Sequence, residues 1–177
     1  MIIEPNGVHD TLYRRKGVKN LKDPDFNKIF EEFGQPIYRL ALARTGDSEL
    51  SHDIVQQVFL LLYKKKPSFA DKTALRVWLI RVALKYISNE RKRAENIMTA
   101  PLESASNSAV TDKAEFEFFD LLSTLPETLR DVTVLYYVED MPINDIARAL
   151  NIGRGAVKSR LLRAREQLSK IYKEELL

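Results

Sequence analysis

The chain has 177 residues, 45% of them apolar, with no cysteine, two histidines and one tryptophan, a length that supports one ordinary domain or two small ones. The absence of cysteine excludes disulfide scaffolds, thiolate zinc sites and thiol catalysis, and 28 basic against 25 acidic residues leave a net charge of only +3. No apolar run approaches the roughly 20 residues of a membrane span, and Met1–Gly7 lacks the charged and apolar regions of a signal peptide, so a cytoplasmic protein without membrane insertion is expected.

Residues 1–22 show no sustained apolar period, contain the basic run Arg14, Arg15, Lys16, and read as an N-terminal arm. From residue 23 to 95 the pattern is helical. Asp23-Pro24 supplies an N-cap with proline at the first helical position, and Phe26, Ile29, Phe30 and Phe33 recur with the period of one buried helix face. Gly34 and Pro36 are expected to kink or interrupt this helix before Ile37–Ala43 resumes it. Thr45-Gly46-Asp47 is a turn, and Ser48 or Ser51 is expected to cap a second helix running to about Tyr63, with Ile54, Val55, Val58, Phe59 and Leu62 inward. Lys64–Thr73 reads as a loop. A third helix from Ala74 to about Ala94 buries Leu75, Trp78, Leu79, Val82, Ala83 and Tyr86 and ends on Arg91, Lys92 and Arg93, the favourable sign for that end of the dipole.

Residues 96–112 are rich in Ser, Ala and Asn and read as a flexible linker. Four further helices follow at about 113–123, 126–139, 143–150 and 154–173, within a second module spanning 113–177. No β-periodic run is present, so the expected fold is all-α, two small helical modules of which the second is a helix-turn-helix. In that motif Ile146, Ala147 and Leu150 form the apolar face of a short first helix. Asn151 falls where the turn needs a left-handed backbone, a conformation that Asn tolerates better than any residue but Gly. Ile152 packs inward, and Val157 and Leu161 dock the second helix on the first. Arg154, Lys158, Ser159, Arg160, Arg163 and Arg165 are left for its outer face and flanks, a composition suited to a DNA major groove.

The near-neutral total conceals an alternation. Residues 1–59 carry eight basic and nine acidic side chains, 60–97 ten and three, 98–147 two and ten, and 148–177 eight and three. Two basic blocks, each a candidate polyanion contact, are therefore separated by an acidic one.

Two motif sets decide among the many proteins that carry a tri-helical reader. Asp53-Ile54-Val55-Gln56-Gln57-Val58-Phe59, a short loop, Trp78-Leu79-Ile80-Arg81-Val82-Ala83 and a basic helix end resemble region 2 of bacterial RNA polymerase sigma factors. Leu125-Pro126-Glu127, Asp145-Ile146-Ala147, Val157-Lys158-Ser159-Arg160-Leu161 and Arg163-Ala164-Arg165 resemble their region 4. With only a linker between the two regions, the chain looks like the small extracytoplasmic-function (ECF) class. The resemblance implies a non-enzymatic promoter-specificity subunit, with no cofactor and no metal. By it, Asp53, Gln56 and Gln57 face the clamp helices of the largest subunit of the polymerase core. Lys64, Lys65, Phe69, Arg81, Lys85, Arg91 and Lys92 meet the −10 element of promoter DNA, and the Arg154–Arg165 helix reads the −35 element. Phe69, in a polar loop, is the candidate to line a base pocket, whereas Trp78, in phase with Leu75 and Leu79, is expected in the core. Lys85 stands where the family often has Asn; an amide pairs with a base edge in both directions, while lysine only donates. The acidic linker would follow the RNA path of the enzyme, and an anti-sigma factor is a further implied partner.

Two other readings stay open at this level. One is a stand-alone helix-turn-helix repressor whose first module is a dimer or ligand domain. The other is a polymerase-binding adaptor that does not open DNA.

Overall fold

The computed structural model describes residues 26–97 and 113–175. The N-terminal arm, the expected Asp23-Pro24 cap and residues 98–112 of the linker lie outside the described residues. Those residues contain seven α-helices, one π-helical turn and no strand, as the all-α expectation requires. Helices α1 (Phe26–Thr45), α2 (Ser48–Lys65) and α3 (Lys72–Ile97) pack on one another. Helix α4 (Lys113–Ser123) lies against α1. Helix α5 (Glu127–Thr133) runs into the π turn Val134–Val138 and packs on α7 (Arg154–Glu175), which also holds α6 (Ile143–Leu150).

Helix α1 is continuous through Pro36, so of the two expected outcomes, a kink or an interruption, the interruption does not occur. Proline forfeits one i→i−4 hydrogen bond, but Phe33, Ile37, Leu40 and Ala41 are buried on both sides of it, and packing carries the helix across. Ile29 and Phe33 form its buried face as expected; Phe30 does not, being 47% exposed while its ring meets Phe59 edge-on at 4.9 Å. The turn into α2 places Gly46 at φ +65°, where a Cβ would be strained. The cap is Asp47, one residue earlier than expected: its carboxylate accepts from the Leu50 amide at 2.9 Å. Ser51 is instead buried, donating to the Asp47 carbonyl at 2.5 Å and lying 3.1 Å from the Thr45 hydroxyl. Helix α2 runs on to Lys65, where Lys66 closes it at φ 42° by donating to the Leu62 carbonyl. Asp71 starts α3, accepting from the Ala74 amide at 2.7 Å, so the expected Lys64–Thr73 loop shrinks to the residues between these helices.

The two modules are docked. Helix α3 packs on α6, and α1 packs on α4, α5 and the π turn; the buried apolar side chains of both modules form one cluster, from Ile29 to Ala164. Among the described residues no helix is long and apolar enough to cross a membrane. The Asp47 cap carries a direct expectation. Asp47→Ala should lower unfolding free energy by about 1 kcal/mol, read by urea denaturation, whereas Asp47→Asn, which keeps a capping oxygen, should leave the midpoint nearly unchanged.

Candidate nucleic-acid interface

Helix α7 is entered through a turn that only a few residue types accept. Asn151 adopts φ 54° and ψ 46°, and its amide reaches back to the last turn of α6. The Ile152 amide donates to the Ala147 carbonyl at 3.0 Å, closing the helix end. Val157, Leu161 and Ala164 are buried against α5 and α6, which fixes the rotation of α7. Arg154, Lys158, Ser159, Arg163 and Arg165 are consequently exposed, and Arg160 is half-buried. Arg163 donates to the Ser159 hydroxyl at 3.0 Å and Arg154 lies 3.4 Å from the Asn144 side-chain oxygen, two contacts on the water side that a ligand could replace.

On α2, Val55, Val58 and Phe59 point into the core and leave Asp53, Gln56 and Gln57 exposed together. Leu60, one turn beyond Gln56, extends the same surface and is 43% exposed. At the end of α2, Lys64 and Lys65 are exposed and Lys66 lies over the Tyr63 ring. Lys85 and Lys92 on α3 are exposed as well. Phe69 departs from expectation: it is 3% exposed and packs edge-on against Trp78 with centroids 5.7 Å apart. A polar neighbourhood in sequence did not place it at the surface, because its ring completes the core under the loop. Trp78 is buried as expected, and Tyr86 is half-buried, its hydroxyl pKa pushed upward by desolvation.

Residues 29–97 match Sigma-70 region 2, and residues 116–168 match Sigma-70 region 4. An ECF RNA polymerase sigma factor of Mycobacterium tuberculosis, SigM, is 30% identical over 150 residues, 82% of this chain and 76% of its own. The chain belongs to the ECF class of RNA polymerase sigma factors. The Bacillus subtilis SigM is 28% identical over 154 residues, spanning 82% of this chain and 94% of that protein. Two solved sigma factors share the fold: RpoE of Bartonella quintana, in complex with the anti-sigma factor NepR, and CnrH, in complex with the cytosolic domain of CnrY. Their TM-scores are 0.67 and 0.65, each at 21% identity, covering 84% of this chain and 97% and 88% of theirs.

Within this sigma factor, two of the expected −10 cations are engaged by the second module. Arg81 donates from Nε to the Arg148 carbonyl of α6 at 3.0 Å, and Arg91 pairs with Glu127 of α5. Three arginines not singled out in the sequence join them. Arg39 donates to the Glu139 carboxylate at 2.7 Å, Arg76 donates to the Glu139 carbonyl, and Arg44 pairs with Glu127. Arg44 Nε also lies 3.0 Å from Asp131 Oδ1, a close charge contact without an aligned hydrogen bond. Arg130 closes the set from the other side. Its guanidinium donates to the carbonyls of Leu122 and Leu125 at 2.9 Å, and to that of Ala43 on α1 at 2.8 Å.

Burial pushes the Asp131 carboxyl up from its ordinary 3.8 to about 6, against the opposing pull of Arg44, Arg130 and Arg160. The folded state then binds this proton more tightly than the unfolded chain. The resulting stabilisation is complete below about pH 3.8 and is lost as pH rises through about 6. Lowering pH from 7.5 to 5 should therefore stabilise the wild type relative to Asp131→Asn by about 1–2 kcal/mol. Parallel pH–stability curves for the two proteins, measured by urea unfolding, would show that the carboxyl titrates normally.

Proposed function

We propose that this sigma factor reads the −35 element as duplex through α7, engages the −10 element through α3 and the end of α2, and docks on the clamp helices of the polymerase core through α2. The observation that carries the reading is the separation of surfaces on one chain: a basic helix projecting from a helix-turn-helix, a second basic surface elsewhere, and an uncharged-to-acidic face on α2. Arg154, Lys158, Ser159, Arg163 and Arg165 have their polar ends in water beside a helix whose entry turn suits a major groove. Lys64, Lys65, Lys85 and Lys92 would meet phosphates, adding affinity and salt dependence but little sequence information. Phe69 supports the loop from beneath. Base capture would thus rest on side chains above it, with Lys85 supplying a donor and no acceptor.

Asp53, Gln56 and Gln57 form a hydrogen-bonding face with one negative charge and the apolar Leu60 beside it, suited to a basic helical partner. An anti-sigma factor is a further partner in this proposal, supported by the fold shared with RpoE and CnrH, each solved bound to such a protein. The cellular place that fits these partners is the cytoplasm. The repressor and adaptor readings lose to the paired family regions, since neither accounts for both in one chain.

Run-off transcription with purified core polymerase and a promoter library tests the whole reading: specific transcripts are expected only when the chain is added. Lys158→Ala should weaken binding to a −35 duplex by about 1–3 kcal/mol if it reads a base edge, with discrimination relaxed at one position. A loss that is uniform across sequences would make it a phosphate contact. Asp53→Ala combined with Gln56→Ala should lower affinity for core polymerase about tenfold while leaving the circular dichroism spectrum intact. Unchanged affinity would remove α2 from the core interface.

A further inference from the structure

The exposed side of α7 is not uniformly basic. Val157 and Ala164 are buried, at 0% and 1% exposure, and fix which way the helix faces. At about 100° per residue, Gly155, Ser159, Leu162 and Glu166 fall on the side opposite them, and all four are exposed. Lys158 and Arg165 flank this strip on one side and Arg163 on the other. The middle of the strip is apolar: Leu162 is 51% exposed, with cations on either hand. We propose that Leu162 is a specificity-determining residue of this sigma factor, reading a thymine of the duplex through its C5-methyl group.

The inference rests on the promoter reading above and deepens it. An α-helix with its side chains is about 10–12 Å across, and a major groove is about 12 Å wide. A helix seated there turns the strip opposite its buried face toward the base pairs. Side chains about a quarter-turn away reach the walls, where the phosphates are, and Lys158, Arg163 and Arg165 have the length and charge for that. Among the described residues nothing lies within 4 Å of a Cβ placed at Gly155, so the helix backbone is open to close approach there. The Ser159 hydroxyl is already engaged by the Arg163 guanidinium at 3.0 Å. Leu162 can neither donate nor accept a hydrogen bond. A guanine, adenine or cytosine edge pressed against it loses water without gaining a partner. Thymine carries a methyl group at its major-groove edge, and covering that methyl with a leucine removes apolar surface from water on both partners.

The test takes duplexes selected from a randomised promoter library by the full chain bound to core polymerase, and exchanges thymines of the upstream element for deoxyuridine. That exchange deletes the methyl group and keeps every hydrogen-bonding atom. At one thymine, or at two neighbouring ones, it should weaken wild-type binding about fourfold, the worth of one buried methyl group. Leu162→Ala should bind the thymine duplex about as weakly as the wild type binds the deoxyuridine duplex, with no further loss on exchange. Leu162→Met, which keeps an apolar tip, should retain the discrimination. Arg165→Ala should weaken both duplexes equally and reduce the salt slope by about one ion. Wild-type affinity that no exchange alters overturns the inference, as does discrimination that persists in Leu162→Ala; either result leaves the promoter reading in place. A loss of core-polymerase affinity in Leu162→Ala with thymine discrimination intact would make the residue a protein contact and overturn the inference too. If no sequence is selected above the random library, the promoter reading itself fails and the thymine contact falls with it.

Discussion

The arrangement of this molecule depends on one buried carboxylate. Glu139 lies at the end of the π turn, nearly free of solvent, and its charge is neutralised by Arg39 and Arg76, both on the other module. A carboxylate at that depth costs several kcal/mol unless it is paired and hydrogen-bonded. The docking of α1 and α3 is therefore what makes the local conformation of residues 134–139 tolerable, and that conformation in turn completes the dock. The π turn supplies the geometry. Its wider spacing lets the Glu139 amide bond to the Val134 carbonyl at 3.1 Å, leaves Tyr136 and Tyr137 outward, and turns Glu139 inward. Removing either side of such a pair strands the other, so the contact forms or breaks as a unit.

The same contact sorts the basic residues by chemistry. Arginines occupy it, lysines stay out of it. Arg81 directs two donors at one carbonyl, and Arg130 spreads its donors over the carbonyls of Leu122, Leu125 and Ala43, uses for which a planar fork suits better than a lone ammonium. Lys64, Lys65, Lys85, Lys92 and Lys158 remain solvated. The solvated lysines thus leave the exposed surface positively charged, while the fork-shaped donors are engaged between the modules.

What could be read from the sequence was local. The period of apolar residues placed each helix, because burial of one face repeats every turn whatever the face meets. Asn151 was legible since a left-handed residue between two helices leaves few alternatives, and the exposure of Asp53, Gln56 and Gln57 followed from the packing of Val55, Val58 and Phe59. The errors share a cause. Phe69 was judged by its polar neighbours and Phe30 by its phase, yet tertiary packing decided both. Asp47 over Ser48 was a one-residue choice among competent caps. Arg39 and Glu139 are 100 residues apart, and nothing in either neighbourhood names the other. A faint signal did exist: Arg39 and Arg44 bracket the apolar run Leu40–Ala43, and Asp131 directly precedes Val132, Thr133 and Val134. Charges set so close to core positions require partners, although a single sequence does not say which.

The acidic block between the two basic ones takes on a specific meaning in this light. Read from the sequence, the ten acids of residues 98–147 separated two candidate polyanion contacts, and the linker among them was expected along an RNA path. Three of them, Glu127, Asp131 and Glu139, are instead directed at arginines of the first module. Each of those carboxylates meets an arginine across the seam, so part of the acidic block is matched to the first module. The apolar cluster shared by the modules adds burial to that charge pairing. A seam that combines paired charges with shared apolar burial holds only while both partners of each pair stay in place, because a carboxylate left alone at the depth of Glu139 is costly.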